Sequence, residues 1–116
     1  MASRILVIDD EADVQELVID FLTSGGYEVD AVATVQQALD AVNQRSYDLI
    51  ISDRRLPGGD GDALAMEIVR QRPGLAGRII LVTGELAEPR GPLPVIQKPF
   101  DLDTFLRAVQ IRLPAA

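Results

Sequence analysis

Arg4-Ile5-Leu6-Val7-Ile8-Asp9-Asp10 is an aliphatic run of strand length closed by two carboxylates. An uninterrupted aliphatic run carries no alternation, so both faces of the strand it forms are covered, as in a parallel sheet packed between helices. Asp48-Leu49-Ile50-Ile51-Ser52-Asp53 has the same form. Between the two, Val14, Leu17, Val18, Phe21 and Leu22 recur with helical period, and Gly25-Gly26 supplies a left-handed stop. Glu28 to Val32 reads as a short strand. Thr34 followed three residues later by Gln37 reads as a capping box for a helix running to about Ser46, with Ala38, Leu39 and Val42 on its buried face.

The alternation continues past Asp53. Leu64, Ala65, Ile68 and Val69 mark a third helix ending near Pro73-Gly74, and Arg78 to Thr83 is a fourth strand. Gly84 to Pro92 contains Pro89, Gly91 and Pro92, which leaves room for about one helical turn and predicts a fourth helix that is shortened or missing. Leu93 to Gln97 completes five strands. Asp101 caps a last helix that buries Leu102, Phe105, Leu106, Val109 and Leu113.

The chain of 116 residues has room for one core, so residues 1–116 are expected to form a single domain. Eighteen acidic against eleven basic residues give a net charge of −7, which opposes sequence-independent attraction to nucleic acid or anionic membranes. Without cysteine or histidine there is no thiolate, no imidazole base and no cysteine-ligated zinc. No stretch approaches the roughly 20 apolar residues of a membrane span, and the expected compartment is the cytoplasm.

In an open α/β sheet the ligand crevice lies outside the carboxyl ends of the strands. Asp9, Asp10, Asp53, Thr83 and Lys98 all fall there. Two unit charges at 4 Å repel by roughly 4 kcal/mol at an effective dielectric near 20, so a carboxylate cluster calls for a cation. An oxygen-only donor set suits magnesium, with manganese as the alternative. Lys98 supplies a point charge for a phosphoryl oxygen and Thr83 a hydroxyl donor. These are the parts of a phosphoryl-transfer site.

Four motifs in order carry a resemblance to the response-regulator receiver domains of two-component signalling, over essentially the whole chain. They are Ile5-Leu6-Val7-Ile8-Asp9-Asp10-Glu11, Asp53-Arg54-Arg55-Leu56-Pro57-Gly58-Gly59-Asp60-Gly61, Thr83-Gly84 and Lys98-Pro99-Phe100. The resemblance implies a flavodoxin-like, doubly wound five-stranded parallel sheet of order 2-1-3-4-5 with helices on both faces. It implies that Asp53 accepts a phosphoryl group from a histidine on a partner kinase or phosphotransfer domain. It further implies that Asp10 and Asp53 bind Mg²⁺ directly, Asp9 mainly through water, and that the Arg55 backbone carbonyl completes the protein ligands. Lys98 and Thr83 then serve the transferred group. On this reading the chain is a signalling domain with self-catalysed phosphorylation and dephosphorylation, a monomer or weak dimer.

Two features depart from the family pattern. Val95 stands where an aromatic is usual three residues before the lysine, and the fourth helix of the common dimer face is curtailed. Both resemble receivers appended to hybrid sensor kinases, or single-domain receivers that relay phosphate. Arg55 and Glu85, two residues past Asp53 and Thr83, are candidates for a pair that gates hydrolysis. Two alternatives stand beside the phosphoacceptor: a pseudo-receiver interaction module, and a magnesium-dependent aspartyl-phosphate phosphatase. Against the second, Arg55 occupies the position where such enzymes need an acid.

Overall fold

Five parallel strands form the sheet in the computed structural model, which describes residues 3–84, 94–97 and 100–113. In chain order the elements are β1 (Arg4–Ile8), α1 (Ala12–Ser24), β2 (Glu28–Val32), α2 (Val35–Gln44), β3 (Leu49–Asp53), β4 (Arg55–Leu56), β5 (Gly59–Asp60), α3 (Gly61–Gln71), β6 (Ile79–Thr83), β7 (Val95–Gln97) and α4 (Leu102–Arg112). The sheet order is β2-β1-β3-β6-β7. With the antiparallel ribbon β4–β5 set aside, that is the expected 2-1-3-4-5.

The residue types explain the order. β3 and β6 are buried along their whole length, and β1 from Ile5 onward, because aliphatic side chains on both faces are satisfied only under two helical layers. β2 and β7 are partly exposed, as edge strands must be. Leu6, Ile8, Ile50 and Ile79 pack under α2 and α3 with Ala38, Val42, Leu64 and Ile68. On the other face Ile5, Val7, Leu49, Ile51, Ile80 and Val82 pack under α1 and α4 with Val18, Leu22, Phe105 and Val109. There Phe100 stacks on Phe105 at 5.0 Å between ring centroids, and Phe21 meets both rings at an angle.

Local signals set the helix ends, with small departures from expectation. The Gln37 N–H donates to Thr34 Oγ1 at 3.1 Å, but the Gln37 side chain accepts from the Ala33 N–H rather than from that of Thr34. α2 ends at Gln44, two residues short of Ser46. Of the glycine pair, Gly25 stays right-handed and Gly26 (φ 88°) makes the left-handed turn. Leu17 and Leu102, expected on buried faces, are exposed (44% and 38%), because each lies at the margin of its apolar stripe. Gly84 precedes, and Pro94 follows, the segment expected to hold the curtailed fourth helix; residues 85–93 lie outside the described residues.

At the amino-terminal edge of the sheet the Tyr47 hydroxyl donates to Asp30 at 2.8 Å. Burial, then the bond to Asp30, pushes this phenol up to about 12. A proton held more tightly in the folded chain stabilises it fully below the ordinary phenol range near 10, and that stability is lost as pH rises toward 12. The melting temperature of the wild type is therefore expected to fall over that alkaline window, and that of Tyr47→Phe to fall less. An identical alkaline decline in the two proteins would refute the assignment.

Candidate functional site

Strand register, rather than proximity in sequence, assembles the acidic cluster. β1 pairs with β3 so that Val7 lies opposite Ile51 and Ile8 opposite Ser52. Extending that ladder sets Asp9 beside Asp53 on one face, since alternate residues of a strand share a face. Asp9, Asp10 and Asp53 each place a carboxylate oxygen within 4.8 Å of the others. Asp9 and Asp53 are buried, at 4% and 8% exposure, whereas Asp10 is exposed.

Backbone donors fix the two buried carboxylates. Asp9 Oδ1 accepts from the Glu11 N–H at 2.9 Å, which turns the chain from β1 into α1. The Asp9 N–H donates to the Val32 carbonyl, and Gln15 Nε2 ties the carbonyls of Asp9 and Val32 together, each at 3.1 Å. Asp53 Oδ1 accepts from the Arg55 N–H at 3.4 Å, a long and therefore weak contact. The donor set contains only oxygen, and one member faces solvent. Hard divalent cations such as Mg²⁺ take oxygen ligands and keep several waters, which suits three carboxylates gathered within 4.8 Å of one another. The cluster therefore fits a hard divalent ion.

Thr83 closes β6, buried at 2%, one residue past Val82, which is the ladder partner of Asp53. It pairs across the sheet with Gln97, the last residue of β7. Lys98, Pro99 and Glu85 lie outside the described residues. Arg55 is described: it is exposed and opens the ribbon opposite Asp60.

Three features of the site had no reading in the sequence. The ribbon β4–β5 turns through Pro57-Gly58, where Gly58 (φ 92°) takes the conformation that follows proline in a type II turn. Gly61 begins α3 against the end of β3, where an added Cβ would sit 2.3 Å from the Asp53 carbonyl oxygen and 3.0 Å from Arg54 Cα. Its N–H donates to the Arg54 carbonyl at 2.6 Å. The third is a charge pair: Arg54, only 4% exposed, places Nε 3.0 Å from Asp62 Oδ2 in the first turn of α3. A bare Arg54 in the sequence gives no hint of burial, because its partner lies eight residues on.

Gly61→Ala is expected to cost about 2 kcal/mol, since backbone cannot yield as a side chain does, and to lower the denaturation midpoint accordingly. A midpoint within error of wild type would mean that α3 retreats from Asp53 without penalty.

The family model for the response regulator receiver domain matches residues 5–110. Sporulation initiation phosphotransferase F of Bacillus subtilis is 32% identical, over 98% of this chain and 96% of its own length. The transcriptional regulatory protein TcrA of Mycobacterium tuberculosis is 34% identical over 96% of this chain, which spans 47% of that regulator. Among solved structures, the chemotaxis protein CheY4 of Vibrio cholerae superposes with a TM-score of 0.89 at 26% identity, covering 97% of this chain and 100% of that one. The receiver domain of the sensor histidine kinase PA1611 from Pseudomonas aeruginosa, solved with a magnesium ion coordinated in its active site cleft, superposes with a TM-score of 0.86 at 28% identity over 97% and 98% of the two chains. No helix among the described residues is long and apolar enough to cross a membrane. With its sheet order, its acidic cluster and these likenesses together, the chain belongs to the response regulator receiver domains of two-component signalling.

Proposed function

We propose that Asp53 is the phosphoacceptor of a phosphorelay. A carboxylate oxygen of Asp53 attacks the phosphorus of a phosphohistidine on a partner kinase or phosphotransfer domain. The P–N bond breaks, the imidazole nitrogen leaves with the electron pair and takes up a proton, and an acyl phosphate remains on Asp53. The observation that carries this reading is the convergence of Asp9, Asp10 and Asp53 at the carboxyl edge of the sheet.

Mg²⁺ is the cofactor of this reading, held directly by Asp10 and Asp53 and by the Arg55 carbonyl; when bound, it neutralises charge on the phosphoryl group in transit. Asp9 acts mainly through water, in keeping with the Glu11 N–H already on its Oδ1. Thr83 donates its hydroxyl to a phosphoryl oxygen and Lys98 pairs with another, so acceptor and charge neutralisation come from separate strands. The module works in the cytoplasm as a monomer or weak dimer, and its net charge of −7 argues against direct contact with nucleic acid.

Incubation with acetyl phosphate and Mg²⁺ tests the reading: one alkali-labile phosphoryl group is expected on the peptide that contains Asp53. A chain that stays unmodified would be a pseudo-receiver instead. Metal binding has its own readout. At about ten times its Kd, Mg²⁺ should add roughly 1.4 kcal/mol to folding stability and raise the melting temperature. Asp10→Asn should be more stable than wild type without metal, having lost a repelling charge, and should gain little from Mg²⁺. An equal gain in the variant would place the ion elsewhere.

A further inference from the structure

A cleft of ≈ 630 Å³ opens at the amino-terminal edge of the sheet, at the opposite ends of the strands from Asp53. Its walls are the connection from α2 into β3 and the segment between α3 and β6. Arg45, Arg72 and Arg78 line it against a single acid, Asp48, in a chain whose net charge is −7. Three of eleven basic residues thus gather at one concavity, and a protein that repels anions overall attracts them here only through local charge.

Arg45 is paired with Asp30 at 3.5 Å, whereas the guanidinium groups of Arg72 and Arg78 are anchored but not neutralised. Arg72 Nε donates to the Val42 carbonyl at 3.2 Å and Arg78 Nη1 to the Asp48 carbonyl at 3.4 Å. These bonds cover carbonyls near the end of α2 and ahead of β3, which would otherwise oppose an anion. Neither arginine forms an ion pair among the described residues. Each keeps most of its five N–H donors for a ligand. Asp48 is the one negative charge of the lining, but its Oδ2 accepts from the Arg4 N–H at 2.8 Å and no ion pair joins it to either arginine among the described residues. Val42, Tyr47 and Leu75 give the cleft buried walls with apolar surface, and its volume is that of sites that hold small organic molecules.

We infer that the cleft binds a soluble organic phosphate, with the phosphate on Arg72 and Arg78 and the organic body toward Tyr47 and Leu75. Two guanidinium forks and three terminal oxygens match, whereas a carboxylate is satisfied by one fork. The site is separate from the phosphoryl-acceptor cluster and does not depend on its chemistry.

Pyrophosphate in EDTA is the probe, which keeps divalent metal from the acidic cluster, with amide and arginine Nε shifts as the readout. Saturable shifts confined to residues 43–48 and 72–78 are expected, with affinity weakened about tenfold or more in R72Q/R78Q. Shifts that never saturate, or that centre on Asp9, Asp10 and Asp53, would overturn the site in the wild type alone, whether or not the variant folds. Unchanged affinity in a folded R72Q/R78Q would do the same. Phosphatidylglycerol vesicles are expected to leave the chain in the supernatant; co-sedimentation that R72Q/R78Q abolishes would assign the cleft to a lipid headgroup and overturn the soluble ligand.

Discussion

Asp53→Asn is expected to accept no phosphoryl group from acetyl phosphate under conditions that label the wild type, while folding to the same structure. The asparagine amide has the size of the carboxylate but lacks an anionic oxygen to attack phosphorus, and it removes one of the protein groups offered to the cation. Loss of activity should come with a gain in stability. Asp53 is buried beside Asp9 and within 4.8 Å of Asp10, so neutralising it relieves repulsion on the order of 1 kcal/mol when no metal is present. Intact mass reads the first effect and thermal melting the second. A variant that still gains a phosphoryl group at the wild-type rate would move the acceptor to another residue.

The second large effect concerns the buried pair next to Asp53. Asp62→Leu removes a carboxylate bonded to Arg54, whose side chain is 4% exposed. Breaking a buried ion pair from one side costs about 3 kcal/mol or more, equivalent to a fall in melting temperature of roughly 10 °C. Arg54→Met should cost less, because Asp62 is 21% exposed and can turn to water. The double replacement Arg54→Met/Asp62→Leu should recover most of the stability lost in Asp62→Leu, since apolar side chains of similar volume fill the same space without a desolvation penalty. Urea denaturation of the four proteins gives the coupling energy. Additive losses would mean that the 3.0 Å contact contributes nothing.

These two residues also mark where the sequence stops being readable. The central strands were legible because β1, β3 and β6 are aliphatic on both faces, a pattern that only a covered parallel sheet satisfies. Asp9, Asp10 and Asp53 were legible as a group because carboxyl strand ends meet at one edge in such a sheet, and the structure brings their oxygens together. Arg54 was not, since a charged residue is buried only with a partner, and the partner is set by how α3 packs. Gly61 was not, because the close approach of α3 to the Asp53 carbonyl is a tertiary fact that a glycine among several others does not announce. Leu17 and Leu102 show the limit of periodicity: spacing places a residue on a stripe but does not say how wide the buried part of that stripe is. Strands of two residues, as in the ribbon after Asp53, are too short for any alternation to register.

The proposed phosphoryl transfer requires three carboxylates to gather around a divalent ion so that one of them can take up phosphorus. Its most direct test is the rate at which acetyl phosphate labels Asp53 in the wild type, measured with Mg²⁺ and again in EDTA. Labelling of residue 53 that requires the metal is the expected result. Labelling that proceeds equally in EDTA, or none with Mg²⁺ present, would contradict it.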